Sequence, residues 1–248
     1  MKQRFKTPLD CTVSDIGIGP AAVPIARVAE RLNSLGPIIS PDTSIRKAID
    51  SLGDEGGRIF LSEGVWDFGD ANLFIKKPNV HLISTSPGNT IFRRTISSAL
   101  AALVANDDYI RIEGIQFVDE DATNTAPMVG IRDGAGCVIT NCVFKDVGDG
   151  VSLSNADWFE VSNCDFISYR KGITSLGNCE QGMIVNNRFR GSSGQPEIDL
   201  HASDQRIGIV GNVLDWSNGS IEYTNNDMAS AANLAILNIV DVGNITER

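Results

Sequence analysis

Short apolar segments recur along the chain about two dozen residues apart, each closed by a polar pair and then a phenylalanine or leucine. They occupy residues 110–117, 138–144, 161–166, 184–189 and 209–214. The closing residues stand at 117, 144, 166, 189 and 214, giving steps of 27, 22, 23 and 25, and Phe92 lies 25 before the first. A second series interleaves with this one. It opens at Gly130-Ile131, Gly150-Val151, Gly172-Ile173, Glu197-Ile198 and Ser220-Ile221, with steps of 20, 22, 25 and 23. Two interleaved series of one mean period are two strands of one repeating coil, stacked so that neighbouring coils bury a shared core.

The period excludes other repeat architectures. Leucine-rich repeats need a dense leucine pattern that is absent here, and helical repeats need amphipathic runs that Gly, Asn and Asp interrupt after residue 55. Parallel coils of short strands remain. Asn141, Asn163 and Asn186 are equivalent between coils, as are Cys142, Cys164, Asn187 and Asn212. Parallel strands stack ~4.8 Å apart, so the asparagines at 141, 163 and 186 are expected to form a side-chain amide ladder. The stacked cysteines are expected to fill core rather than form a disulfide.

Composition narrows the partners. The 248 residues are 42% hydrophobic and 21% charged, a folded rather than disordered balance, with a net charge of −10. Nucleic acid is disfavoured, and none is expected as a partner, because no basic stripe is present to neutralise phosphates. Neutral glycans and other proteins remain. The apolar run at residues 99–105 is far too short to span a bilayer. Five cysteines without a CxxC pair argue against metal or redox use and leave at least one thiol free in a monomer. No cofactor and no metal is expected. Met1-Lys2-Gln3-Arg4-Phe5 is followed by no apolar signal-peptide core, so synthesis in a reducing cytoplasm is expected.

Stacked coils have raw ends that invite further pairing. Residues 44–52 read as a short helix with Ile45, Ala48, Ile49 and Leu52 on one face, ended by Gly53, and this helix is expected to cap the N-terminal end. Gly56-Gly57-Arg58-Ile59-Phe60-Leu61 reads as the first strand, and Glu63-Gly64-Val65-Trp66 turns into the second. Together these residues resemble the N-terminal signature of pectate-lyase-like β-helices, a group that includes bacteriophage tailspikes and relatives of polygalacturonase. The resemblance covers roughly residues 43 to 242. It implies an all-β, right-handed, single-stranded parallel β-helix of the pectin-lyase-like type over residues 43–248. The fold hosts lyases, hydrolases, binders and spikes, so it does not choose an activity.

Residues 1–42 differ from the coils. Pro8, Pro20, Pro24, Pro37 and Pro41 cluster there, and residues 24–35 suit a helix closed by Gly36-Pro37. This arm either packs on the solenoid or docks onto a partner, and tailspikes resemble this layout. Residues 234–240 read as the last strand.

Catalytic candidates follow from the second series. If Ile131, Val151, Ile173, Ile198 and Ile221 point inward, then Arg132, Ser152, Thr174, Asp199 and Glu222 point outward, with His201 and Thr224 two residues on. Asp199 and Glu222 then stand on neighbouring coils with His201 alongside. Paired carboxylates ~5 Å apart suit a retaining glycosidase or a calcium ion, whereas the plain alternative is a solvated polar face. Asp146-Val147-Gly148-Asp149-Gly150 resembles the acidic turn of polygalacturonases. Their Gly-His-Gly and Arg-Ile-Lys motifs are absent, and so is the arginine and calcium-binding aspartate set of pectate lyases, so a turn aspartate before glycine is the reading kept. His81, alone in its strand, reads as structural.

Three functions remain. The first is a structural or receptor-binding protein of a bacteriophage particle, tailspike-, fibre- or adaptor-like and non-catalytic. It would be a homotrimer in the virion, attached to other virion proteins through the arm and facing a host surface glycan. The second is a glycan-active hydrolase or lyase using Asp199, Glu222 and His201. The third is a non-catalytic glycan-binding module. Five to seven coils stack to only about 30 Å, short for a spike with its own glycan groove, which favours a structural or adaptor role.

Overall fold

The computed structural model describes residues 36–68, 72–95, 100–121, 124–192, 195–201, 203–214, 220–224, 235–237 and 244–247, the last three segments and Ser192 as backbone only. Ile38–Arg248 form one compact unit and Met1–Pro37 another. The helix expected at residues 24–35 lies outside the described residues. No described helix is long and apolar enough to cross a membrane.

The compact unit is a parallel β-solenoid with three strand-bearing faces. The first face is a nine-stranded sheet of β1 (Ile38–Ile39), β2 (Gly57–Leu61), β5 (Val80–Ser84), β8 (Arg111–Glu113), β11 (Val138–Thr140), β13 (Glu160–Ser162), β15 (Met183–Val185), β18 (Gly208–Val210) and β21 (Ala235–Leu237). The second carries β3 (Gly64–Asp67), β6 (Thr90–Arg94), β9 (Gln116–Asp119), the first halves of β12 (Val143–Ser154) and β14 (Asp165–Ser175), then β16 (Arg188–Ser192) and β19 (Val213–Leu214). The third carries β4 (Leu73–Ile75), β7 (Leu103–Ala105), β10 (Pro127–Arg132), the second halves of β12 and β14, then β17 (Ile198–His201), β20 (Ser220–Thr224) and β22 (Asn244–Glu247). The expected parallel β-helix is therefore present, and the first strand series spans two faces rather than one.

The corners explain the polar residues between strands. Asn141, Asn163 and Asn186 all adopt φ near +54°, with Gly114 and Gly211 at the same corner of other coils. Asparagine tolerates the left-handed region better than other side chains, so this row turns the chain from the first face to the second. The amide ladder falls one residue later than expected. Asn187 Nδ2 donates to Asn212 Oδ1 at 3.0 Å and to Val161 O at 2.8 Å, and Asn187 Oδ1 accepts from Cys164 N at 2.9 Å. A second, exposed ladder that the sequence reading missed joins Asn178 to Asn155 and Asn155 to Asp133 at the corner after the third face.

The closing aromatics form the core stack. Phe117, Phe144, Phe166 and Phe189 are in register, with ring centroids 5.0, 4.8 and 4.7 Å apart and nearly parallel planes. Phe92 meets Phe117 edge-on at 5.6 Å. This stack also explains a glycine of the second series: a Cβ on Gly172 would stand 2.5 Å from the Phe189 ring. Cys142 and Cys164 are buried free thiols in adjacent coils, as expected.

At the N-terminal end, α1 (Ile45–Ser51) buries Ile45, Ala48 and Ile49, and the Ser44 side chain accepts from the Lys47 amide. Ile38-Ile39 pairs with Phe60-Leu61, so the first sheet begins ahead of this helix. Lys77 Nζ donates to the carbonyls of Leu52 and Ile49 at the helix C-terminus, and Ile49 O also accepts from the Leu52 amide. At the other end the expected last strand is present as β21, and β22 follows it.

Candidate functional site

The third face carries one outward row through consecutive coils. Its register is Phe74, Val104, Gly130, Ser152, Thr174, Asp199 and Glu222. In register the expected row runs from Ser152 to Glu222 and differs at Arg132, which pairs with Ser154 instead. The cause is the shorter 20-residue step between residues 130 and 150: Ile131 aligns with Leu153 and Val151 with Val129, a shift of two that keeps the inward face inward.

Asp199 and Glu222 are direct partners on β17 and β20, and His201 pairs with Thr224. Along β17 the burial alternates, with Ile198 and Leu200 buried, Asp199 half-buried and His201 exposed, so Asp199 and His201 share the outer side. Their hydrogen bonds diverge. The Asp199 carboxylate accepts from Lys171 Nζ at 2.6 Å, whereas the His201 ring is held through Nδ1 by Ser203 Oγ at 2.9 Å.

The residue that sequence reading undervalued is Asp149. It was expected as a turn aspartate, yet it stands in the extended part of β12 and is 7% exposed. The turn falls earlier, at Asp146, whose φ is 53°. Arg170 Nη2 donates to Asp149 Oδ2 at 2.6 Å, and Asp149 Oδ1 is buried without a hydrogen-bond partner. Burial pushes the Asp149 carboxyl above the ordinary carboxylate range, against the opposing pull of Arg170 and Lys171. Asp149, Lys171 and Asp199 thus set charges of alternating sign on three consecutive coils, since Asp149 pairs with Lys171 in register and Lys171 reaches Asp199. Only the two-strand spacing could have suggested this, and no local motif marks it.

Beside the charges, the row is lined by small groups. A cavity of about 100 Å³ lies over Gly130 and Ser152, with a mainly apolar wall that includes Phe74, Val104, Pro127 and Leu176 and with Arg132 and Ser154 as further polar members. The Phe74 ring carries Lys76 Nζ 5.4 Å from its centroid. An apolar wall with a ring and a few hydroxyls, and an ion pair further along the face, is the mixed lining that takes a small polar-edged ligand.

Among the described residues no group of three or more His, Cys, Asp or Glu is placed to hold an ion. Burial pushes the Cys137 and Cys179 thiols up to about 11, and the Cys164 thiol is also raised, so these sulfurs stay protonated. His81, half-buried on β5, is held below its ordinary range by desolvation and by Arg58 and Arg111.

Among curated proteins, none matches the sequence. Among solved structures, the pectin methylesterase PemA of Erwinia chrysanthemi superposes with a TM-score of 0.57 at 13% identity, covering 86% of this chain and 80% of that one. The catalytic domain of a GH87 alpha-1,3-glucanase also superposes with a TM-score of 0.57, at 12% identity over 83% of this chain and 38% of that one. At these identities the likeness concerns the fold. The family described as "Periplasmic copper-binding protein (NosD)" matches residues 82–243, which takes in every coil from β5 to β21, and the chain belongs to this NosD family of parallel β-helices.

Proposed function

We propose that this β-helix binds a glycan along the outward row of its third face and holds it without cleaving it, as a receptor-binding or adaptor-like protein. The observation that carries this reading is the ion pairing of Asp199 on the row and of the buried Asp149 beside it. Asp149 is held by Arg170 and Asp199 by Lys171, so each carboxylate is engaged by a cation. Ser152 and Ser154 line the neighbouring cavity and offer hydroxyls. On this reading the chain belongs to a virion, as a homotrimer joined to other virion proteins through residues 1–42. The support for that setting is the likeness of residues 44–66 to tailspike signatures. The copper in the family's name meets no fitting donor set among the described residues, and no role for it follows.

The test is binding and product formation on one set of glycans. Retention of an oligosaccharide with no new reducing ends is expected, and Lys171→Ala should weaken retention about tenfold. Turnover by the wild-type chain would overturn the non-catalytic part. A native mass of one chain in light scattering would overturn the trimer, and recovery of the chain from a periplasmic fraction would overturn the virion setting.

A second reading is favoured by the raised Asp149 carboxyl, because an acid held above the ordinary carboxylate range has the property required of a proton donor in glycoside hydrolysis. It predicts reducing-end release that Asp149→Asn abolishes.

A further inference from the structure

We infer that the corner leading into the first face is a stacking surface for a neutral glycan chain, with Tyr109 and Trp158 as its two rings. The surface is separate from the outward row, and the inference rests on the glycan reading above. Tyr109 is 58% exposed and Trp158 64% exposed, at φ values of 57° and 55°. Both rings therefore forgo burial, and both occupy a backbone conformation that is unfavourable for bulky residues. The left-handed backbone is the turn that every coil makes at this corner, shared by Asn79, Gly136, Gln181 and Arg206, and asparagine and glycine suit it best, so two large exposed rings there are explained by neither core packing nor local propensity.

The two rings belong to one row. The amides of Tyr109, Gly136, Trp158 and Gln181 donate in turn to the carbonyls of Ala135, Asp157, Glu180 and Gln205 on the next coil. Tyr109, Gly136 and Trp158 thus follow one another on consecutive coils. A Cβ on Gly136 would stand 2.5 Å from the Tyr109 ring, so this glycine gives the ring its place and leaves no side chain between it and Trp158. Two coil steps separate the backbones by about 10 Å, the reach of a disaccharide unit. Tyrosine and tryptophan present an apolar face with a polar edge, which suits the C–H face and hydroxyl rim of a pyranose.

Charge decides which polymer fits. One residue before the rings runs a parallel row of Asp108, Ala135, Asp157 and Glu180. Glu180 is neutralised by Arg206 at 2.8 Å, whereas Asp108 and Asp157 have no ion pair among the described residues. The strip therefore repels polyanions. It accepts hydrogen bonds from hydroxyl donors, so its complement is an uncharged polysaccharide.

The test is native gel electrophoresis of the full chain through soluble mixed-linkage β-glucan, xyloglucan, galactomannan and polygalacturonate. Retardation by at least one neutral polymer and none by polygalacturonate is expected. Tyr109→Asn and Trp158→Asn should each weaken retardation at least tenfold with no fall in thermal midpoint, because asparagine accepts the left-handed backbone more readily. Equal binding by both variants overturns the inference, as does a binding loss that accompanies a lowered midpoint, or retardation by polygalacturonate alone. A native mass that drops to one chain on Trp158→Asn would assign the corner to a second copy and equally overturn it. If the corner variants bind normally while Lys171→Ala does not, the inference fails and the outward row stands. If the wild-type chain binds no glycan, both fail.

Discussion

Asn187→Ala should be among the most damaging single substitutions in the chain, although it removes only a small polar side chain. Asn187 is 1% exposed, between two buried rows of the core. Its Nδ2 donates to Asn212 Oδ1 and Val161 O, and its Oδ1 accepts from the Cys164 amide. Alanine deletes three hydrogen bonds, each contributing ~1 kcal/mol net, and strands the Cys164 amide, which costs a further ~1–3 kcal/mol when buried. The sum is about 4–6 kcal/mol, a large share of the ~5–15 kcal/mol by which domains are ordinarily stable. Asn163→Ala supplies the control. Asn163 is exposed, at φ 53°, so its loss should cost only ~1 kcal/mol of left-handed backbone preference. Urea unfolding followed by far-UV circular dichroism gives both values. If Asn187→Ala costs no more than Asn163→Ala, the buried ladder contributes nothing and the reasoning is wrong.

Asp119→Ala should cost about 3–5 kcal/mol in the same assay, because it leaves the Arg94 guanidinium buried without its counter-charge; the two side chains are 0% and 1% exposed. A loss below ~1 kcal/mol would show that the carbonyls of Leu100, Ala126 and Pro127, which Arg94 also contacts, suffice alone. For Asp149 the sign follows from a folded-state pKa raised above the unfolded one. Its contribution is fully present below the unfolded value and is lost as pH rises through the folded value. The thermal midpoint of Asp149→Asn should therefore gain on wild type as pH rises from 4 to 7, and a gap that shrinks instead would contradict the burial argument. Finally, Cys137, Cys142, Cys164 and Cys179 are buried, so a thiol reagent at pH 8 should label at most one of the five cysteines per native chain and all five after denaturation.

The repeat made most of the fold legible. A solenoid reads the same pattern once per coil, so Phe117, Phe144, Phe166 and Phe189 announced their own stack, and the equivalence of Asp199 with Glu222 followed from the same count. The helix at residues 45–51 was legible for a different reason, since its N-cap and apolar face are local. What failed was whatever depended on the connections. The shortened step after Gly130 moved Arg132 off the outward row by two residues, an even shift that strand periodicity cannot detect.

Tertiary structure alone decided which polar groups lie inside. Asn186 and Asn187 are neighbours of one residue type, yet one turns the corner and the other bonds within the core, because the left-handed turn points successive side chains to opposite sides. Asp149 could not be recognised from its glycine neighbours, because its burial and its partner Arg170 come from the following coil. The pairing of Tyr109 with Trp158 across Gly136 depends likewise on stacking. Periodicity in the sequence thus determined the coil and its core, since burial of one face repeats with the chain. The chemistry of the surface was set between coils, where loop lengths bring together residues that no local pattern relates.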